Sequence, residues 1–127
     1  MTQRTVTRVF VVDDDPHLLE LLALNLRADG LEVEAFDHGL DVCERAAIEA
    51  PDVIVLDVML PDRDGLSVLR ELKHDPDTRD IPVVLLTAKA TDEEVWAGWS
   101  AGADYYITKP FELDELLRFI DRLGRYT

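Results

Sequence analysis

Cysteine, basic residues and long apolar runs are scarce in this chain of 127 residues. Its one cysteine, Cys43, cannot form a disulfide within the chain, and this favours a protein of the reducing cytoplasm. Lysine and arginine number 13 against 27 acidic residues, so the net charge of −14 argues against direct binding of nucleic acid. No apolar run is long enough for a signal peptide or a membrane span. We therefore expect a cytoplasmic protein that has neither nucleic acid nor membrane as a direct partner.

The rest of the composition is that of one globular domain. Hydrophobic residues make up 47% of the chain and charged residues 31%, which excludes an intrinsically disordered protein. A chain of this length can bury roughly two-thirds of the surface that its unfolded form exposes. Neither an internal repeat nor a low-complexity segment divides the sequence. We expect a single domain over residues 1–127, with no output domain.

Segments typical of strands and of helices alternate along the chain. Short apolar runs rich in β-branched residues predict strands, whereas leucine or alanine residues at three- and four-residue spacing predict helices. Asp15 and Pro16 favour the start of the first helix, and Thr91 begins a capping box that opens the fourth. The predicted strands occupy residues 8–12, 32–36, 53–56, 83–86 and 105–108. Five strand–helix units joined by short loops imply a parallel sheet covered by helices on both faces.

Four of the predicted strands end in polar residues that can bind a metal ion or phosphate. These residues are Asp13, Asp14 and Asp15 after the first strand, Asp57 after the third, Thr87 after the fourth and Lys109 after the fifth. Parallel strands bring such endings to one edge of the sheet, where ligands bind. Neighbouring carboxylates repel by about 4 kcal/mol at an effective dielectric of about 20, which favours a cation between them. The edge is therefore predicted to bind Mg²⁺ and a phosphoryl group.

Several motifs together resemble the receiver domain of bacterial two-component response regulators, the family of the chemotaxis regulator. The matching segments are residues 11–16, 55–61, 64–65, 86–88, 102–104 and 106–111. The resemblance extends over nearly the whole chain, and the conjunction of its motifs is highly specific. It implies an α/β fold, a flavodoxin-like three-layer sandwich whose five-stranded parallel sheet has the order 2-1-3-4-5 and is covered by five helices.

The resemblance also assigns roles at the acidic edge. Asp57 is similar to the phosphoacceptor, a nucleophile that takes a phosphoryl group from a sensor histidine kinase or a phosphotransfer protein. Asp14 and Asp57 match direct Mg²⁺ ligands, Met59 contributes its backbone carbonyl, and Asp13 acts through a bound water. Lys109 is expected to pair with the phosphoryl oxygens. The domain would catalyse only its own phosphorylation and dephosphorylation.

Three further residues match the switch of the family. By this resemblance, the small side chain of Ala88 would leave room for the phosphoryl group, and Thr87 would move towards that group once it is bound. Tyr106 would then rotate inward into the space that Thr87 leaves. The resemblance implies that this coupling changes the face made by the fourth helix, the fifth strand and the fifth helix, which controls an output.

That output face differs from the face of the winged-helix branch of the family, in which opposite charges pair two receivers. Val95 and Phe119 stand where that branch has arginine, Tyr105 where it has aspartate, and Asp121 where it has lysine. The predicted interface residues are mainly apolar: Val95, Trp96, Trp99, Tyr105, Leu117 and Phe119. An apolar patch of this size usually marks an interface. We expect it to contact a second copy in a homodimer on activation, or an unknown effector.

Two other interpretations belong to different classes. A haloacid-dehalogenase-type phosphatase also uses an aspartate nucleophile with Mg²⁺, but it needs a second aspartate where this chain has Met59. The alternative that stays open is a constitutive protein-interaction module with the receiver fold. Such modules typically lose an acid, the hydroxyl or the lysine, and this chain keeps them all.

Overall fold

The computed structural model describes residues 8–88 and 91–125, so the two ends of the predicted domain lie outside the described part. Ten elements alternate along the chain. The strands are β1 (Arg8–Val12), β2 (Glu32–Phe36), β3 (Val53–Asp57), β4 (Val83–Thr87) and β5 (Tyr105–Thr108). The helices are α1 (Pro16–Ala28), α2 (Val42–Glu49), α3 (Gly65–His74), α4 (Asp92–Ser100) and α5 (Leu113–Arg125). None of these helices is long and apolar enough to cross a membrane, within the part of the chain described.

The strands form one parallel sheet in the order β2-β1-β3-β4-β5, which confirms the predicted topology. The sheet is covered on both faces. Alternate side chains of β1 point to opposite faces, so Val9 and Val11 pack with α1 and α5, whereas Phe10 and Val12 pack with α2 and α3. Burial on both faces explains why the central strands are continuous apolar runs rather than alternating ones.

The predicted helix start at Pro16 is also confirmed. Asp15 lies just before α1, and its side-chain oxygen accepts hydrogen bonds from the amides of His17 and Leu18. Two strands run one residue further than predicted, because Asp57 still pairs with Leu86 and Thr87 with Thr108. Asp57 and Thr87 are therefore held by the sheet itself rather than by the loops that follow it.

Lys73 makes contacts that connect three segments at the amino-terminal edge of the sheet. The Lys73 ammonium, at the end of α3, donates to the carbonyls of Arg79 at 3.2 Å and Ile81 at 2.9 Å. It also lies 3.1 Å from a carboxylate oxygen of Asp104, and that same oxygen accepts from the amide of Val83 at 2.8 Å. The end of α3, the start of β4 and the turn between α4 and β5 are thereby joined.

Cys43 lies half-buried on α2. Its thiol donates to the carbonyl of Val68 at 3.7 Å. Burial, followed by the neighbouring carboxylate of Glu71, raises the pKa of this thiol to about 12. A thiol with so high a pKa is protonated at neutral pH, so Cys43 is a packing residue rather than a nucleophile.

Candidate functional site at the carboxyl edge of the sheet

The residues predicted at the carboxyl edge come from four different strands and meet in one place. Asp13 follows β1, Asp57 ends β3, Thr87 ends β4, and Lys109 follows β5. Asp13, Asp57 and Thr87 are almost completely buried, with exposed fractions of 0%, 3% and 1%. Polar side chains this deeply buried must be paired, because burying them unpaired costs free energy. Several of them at one edge of the sheet therefore point to a function.

Three carboxylates form a cluster that could hold a metal ion. One oxygen of each of Asp13, Asp14 and Asp57 lies within 4.8 Å of the others. Asp14 is exposed, whereas the other two are buried. An all-oxygen donor set that is open to solvent on one side suits a hard divalent cation.

Lys109 partly neutralises this cluster. Its ammonium lies 2.9 Å from one oxygen of Asp13 and 3.2 Å from one oxygen of Asp57. Burial disfavours the charged ammonium, but the hydrogen bonds and negative charges of Asp13 and Asp57 outweigh this effect and raise the pKa of Lys109. The backbone amide of Lys109 also donates to the carbonyl of Thr87 at 2.7 Å, which fixes the start of the side chain. The lysine is therefore charged and held within reach of both acids.

Backbone amides bind the remaining oxygens of the two buried acids. The amide of Met59 donates to the second oxygen of Asp57 at 3.1 Å, and the amide of Asp15 donates to the second oxygen of Asp13 at 2.9 Å. Met59 was predicted to act through its carbonyl, which nothing in the structure tests. Its amide is a contact that sequence reasoning missed, because loop geometry cannot be read from side-chain types.

The net effect of burial and of these contacts is to raise the pKa of Asp57. Burial is the largest cause, and the charge of Asp13 adds to it, whereas the Met59 amide and Lys109 oppose it. Together they raise the pKa of Asp57 to about 6. A bound cation would favour the charged form and offset this cost.

This shift predicts a pH-dependent gain in stability when the charge of Asp57 is removed. A carboxyl whose pKa is raised from 3.8 to about 6 by folding weakens the folded state wherever it is ionised. In EDTA at pH 7, Asp57→Asn should therefore raise the free energy of unfolding by about 3 kcal/mol. The gain should shrink as pH falls through 6 and vanish below about pH 4, where wild-type Asp57 is protonated in both states.

Urea unfolding at a series of pH values measures this difference. Asp62→Asn is the matched control, because the pKa of Asp62 is lowered, chiefly by a hydrogen bond from the Gly39 amide. The control should show no gain at pH 7. A wild-type protein that is as stable as Asp57→Asn at pH 7 in EDTA would contradict the burial argument.

The close packing of Gly65 is a second feature that sequence reasoning missed, although residues 64–65 belong to the matching motifs. Gly65 is the first residue of α3, and its amide donates to the carbonyl of Val58 at 2.8 Å. A Cβ atom built on Gly65 would lie 2.2 Å from the carbonyl oxygen of Asp57 and 2.7 Å from the Cα of Val58. Only glycine permits this approach. The backbone that carries Asp57 is thus packed directly against the start of α3.

The predicted switch residues lie on the side of the site that faces α4. Thr87 is buried and Ala88 is exposed at the mouth of the site. Thr87 also lines a cavity of about 650 Å³ together with Met59, Glu93 and Ala97. Tyr106 is half-buried, and its ring would be 2.9 Å from a Cβ atom at Gly98 of α4. The ring of Tyr106 therefore rests on the backbone of α4.

The predicted interface residues divide into two groups. Trp96 and Trp99 of α4 are exposed, by 73% and 46%. Tyr105 and Phe119 instead stack on each other, with ring centroids 3.5 Å apart and an angle of 17° between the rings. Both rings are partly buried against the core, as is Leu117, while Val95 is half-buried on α4. An aromatic pair thus stands where opposite charges were expected for the winged-helix branch, and the interface itself stays a prediction.

Comparisons with known proteins agree with this geometry. Residues 9–121 match the family described as "Response regulator receiver domain". The response regulator MprA of Mycobacterium leprae is 44% identical over 94% of this chain and 52% of its own length. The DNA-binding dual master transcriptional regulator RpaA of Synechocystis is 39% identical over 94% of this chain and 50% of its own length. The chain therefore spans about half the length of these relatives.

A solved structure extends the likeness to three dimensions. The BeF3-activated receiver domain of DrrB is 39% identical and superposes with a TM-score of 0.81, covering 93% of this chain and 97% of the other. The receiver fold, the buried aspartate that ends β3 and the lysine that follows β5 all agree with the predicted resemblance. This chain belongs to the family of response regulator receiver domains, the phosphorylation-dependent switches of two-component signalling.

Proposed function

We propose that Asp57 accepts a phosphoryl group from a sensor histidine kinase or a phosphotransfer protein in the cytoplasm. The observation that carries this proposal is the double tether of its carboxylate, with one oxygen bound by the Met59 amide and the other by Lys109. These two contacts fix the orientation of the Asp57 carboxylate at the carboxyl edge of the sheet. One oxygen of Asp57 forms a bond to phosphorus as the bond from phosphorus to the histidine nitrogen breaks. Receiver domains are signalling domains rather than classical enzymes, and this one would act only on its own phosphoryl group.

Mg²⁺ fits the cluster of Asp13, Asp14 and Asp57, because all three supply oxygen and one of them faces solvent. Asp14 and Asp57 would hold the ion directly, Met59 through its backbone carbonyl, and Asp13 through a water molecule. When bound, the ion would offset the charge that builds up on the phosphoryl oxygens during transfer.

Lys109 has a complementary role in this proposal. It is held between Asp13 and Asp57 before phosphorylation, so its ammonium is already beside the nucleophile. A phosphoryl group on Asp57 adds negative charge there, and the ammonium can bind its oxygens with little movement. Asp13 keeps the lysine in place while this exchange occurs.

The readout is proposed to pass from Thr87 and Ala88 to Tyr106. Thr87 carries a hydroxyl group and ends β4, the strand next to β3, and the small side chain of Ala88 leaves the space beside it open. The ring of Tyr106 rests on Gly98 of α4, so a movement of Thr87 that frees space for this ring also releases a contact of α4. The alternative, a constitutive interaction module, predicts no such response.

Replacement of Thr87 by alanine tests the switch. Wild-type protein with Mg²⁺ and beryllofluoride should show a changed NMR signal from the ring of Tyr106, since beryllofluoride resembles a bound phosphoryl group. Thr87→Ala should still bind beryllofluoride but lose most of the Tyr106 response, because the hydroxyl that senses the group is gone. Thr87→Ser restores the hydroxyl and should restore the response. A full response from Thr87→Ala, or none from the wild type, would contradict the proposed function.

We further propose that the output is an apolar contact made by α4, β5 and α5. Trp99 is 46% exposed, and the stacked Tyr105 and Phe119 give the neighbouring surface an aromatic rather than a charged character. In wild type, beryllofluoride with Mg²⁺ should induce a homodimer, measured by sedimentation at physiological ionic strength. Trp99→Asp should weaken that dimer by about tenfold or more.

Ile48→Asp is the matched control for this experiment, because Ile48 is 72% exposed but lies on α2. It should dimerise like the wild type. A Trp99→Asp variant that dimerises equally well would exclude the patch as the interface. A wild type that stays monomeric would leave the effector as the partner and contradict the homodimer.

A further inference from the structure

A groove of about 450 Å³ runs between α3 and α4, away from the carboxyl edge of the sheet. On the α3 side it is lined by Arg70, Lys73 and His74. On the α4 side it is lined by the exposed ring of Trp96 and by the small side chain of Ala97. The groove thus combines a large aromatic surface with a row of bases, neither of which is used by the proposed phosphoryl transfer.

The charge of this groove is opposite to that of the protein. Every ionisable residue that lines it is a base, although the whole chain has a net charge of −14. Lys73 is already bound to Asp104 and to two carbonyls. Arg70 and His74 are exposed, and neither side chain makes a hydrogen bond or an ion pair with another residue in the described part of the chain. Attraction to the end of the α3 dipole accounts for the two bases of the last turn, but Arg70 lies a turn earlier.

Trp96 gives the groove an apolar contact surface. It is 73% exposed, more than any other large hydrophobic residue whose burial the structure describes. Tryptophan and arginine are the residues that contribute most often to the binding energy of protein interfaces. The small side chains of Ala97 and Ala101 beside it would let another chain approach closely.

We propose that this groove binds an acidic segment of a partner protein, whose carboxylates face Arg70 and His74 while an apolar side chain packs on Trp96. The acidic character of the remaining surface favours a short segment. A long polyanion such as nucleic acid would be repelled wherever it extended beyond the groove. A second copy of this chain would bind at the face of α4, β5 and α5 instead, so it is not the expected occupant of this groove.

A displayed library of random linear peptides, selected on the full chain, tests the proposal. Selected sequences should be enriched in aspartate and glutamate beside an aromatic or branched aliphatic residue. Their fluorescein-labelled synthetic forms should bind with an anisotropy change that weakens as salt is raised. A selection without acidic enrichment would overturn the proposal.

Two pairs of matched variants locate the binding site. Arg70→Glu should lower the affinity for the selected peptides about tenfold or more. Arg118→Glu makes the same change of charge on the exposed face of α5 and should leave the affinity within about twofold of wild type. Trp96→Ala should weaken them about tenfold, whereas Trp99→Ala, on the same helix but outside the groove, should not. Equal affinities within either pair would overturn the assignment. The assignment would also be overturned if a labelled single-stranded DNA bound more tightly than the peptides and Arg70→Glu abolished that binding.

Discussion

Asp57→Asn is expected to abolish phosphoryl labelling of this protein. Wild type incubated with acetyl phosphate and Mg²⁺ should gain the mass of one phosphoryl group, measured on the intact protein. Asparagine keeps the shape of the side chain and can still accept the hydrogen bond from the Met59 amide. It has no carboxylate to attack phosphorus, so labelling of the variant should fall to background.

Asp62→Asn is the matched control for the labelling experiment. Asp62 is an exposed acid of the loop after β3, its carboxylate accepts a hydrogen bond from the Gly39 amide, and it is not one of the three acids of the cluster. This variant should be labelled as fully as wild type, and EDTA should prevent labelling of both. Equal labelling of Asp57→Asn would show that the nucleophile is another residue.

Among glycine-to-alanine substitutions at the described glycines, Gly65→Ala is expected to lower the free energy of unfolding most. The new Cβ atom would lie 2.2 Å from the carbonyl oxygen of Asp57, well inside van der Waals contact. The obstacle is backbone rather than a flexible side chain, so β3 or the start of α3 has to move. We expect a loss of about 3 kcal/mol or more in the free energy of unfolding. The better helix propensity of alanine would recover at most about 1 kcal/mol of it.

Gly30→Ala separates this steric effect from backbone strain. Gly30 has a φ of +89° but nothing lies within 4 Å of its added Cβ. Its variant should lose only about 1 kcal/mol, the cost of a left-handed conformation. Urea unfolding followed by tryptophan fluorescence measures both losses. If Gly65→Ala costs no more than Gly30→Ala, the close approach to Asp57 does not constrain the fold.

The sequence is sufficient to predict which residues meet at the acidic edge. Parallel strands place their carboxyl ends at one edge whatever their order, so Asp13, Asp57, Thr87 and Lys109 had to reach the same edge once the apolar runs were assigned to one sheet. They meet there because their four strands are neighbours. The strand order itself came from the resemblance and was confirmed. Asp15 as a helix cap was predictable because capping depends on local sequence alone.

Contacts that depend on the distance between elements were not predictable. Tyr105 and Phe119 were expected to expose their rings, but β5 and α5 pack closely enough for the rings to stack. Arg70 and Trp96 line one groove because α3 and α4 are neighbours on the sheet, and no local pattern reports that. Gly65 belongs to the same class, since its role depends on a backbone atom of another element.

The contacts of Lys73 determine how α4 can move. They hold the turn after α4 to the amino-terminal edge of the sheet, whereas the other end of the helix begins beyond Thr87. A displacement that preserves these contacts is a tilt of α4 about its carboxyl end. The helix has 9 residues, or about 13 Å of length, so a tilt of about 9° moves its first turn by about 2 Å. With its fixed end at the Asp104 turn, α4 would move most in its first turn, the one nearest the proposed phosphorylation site.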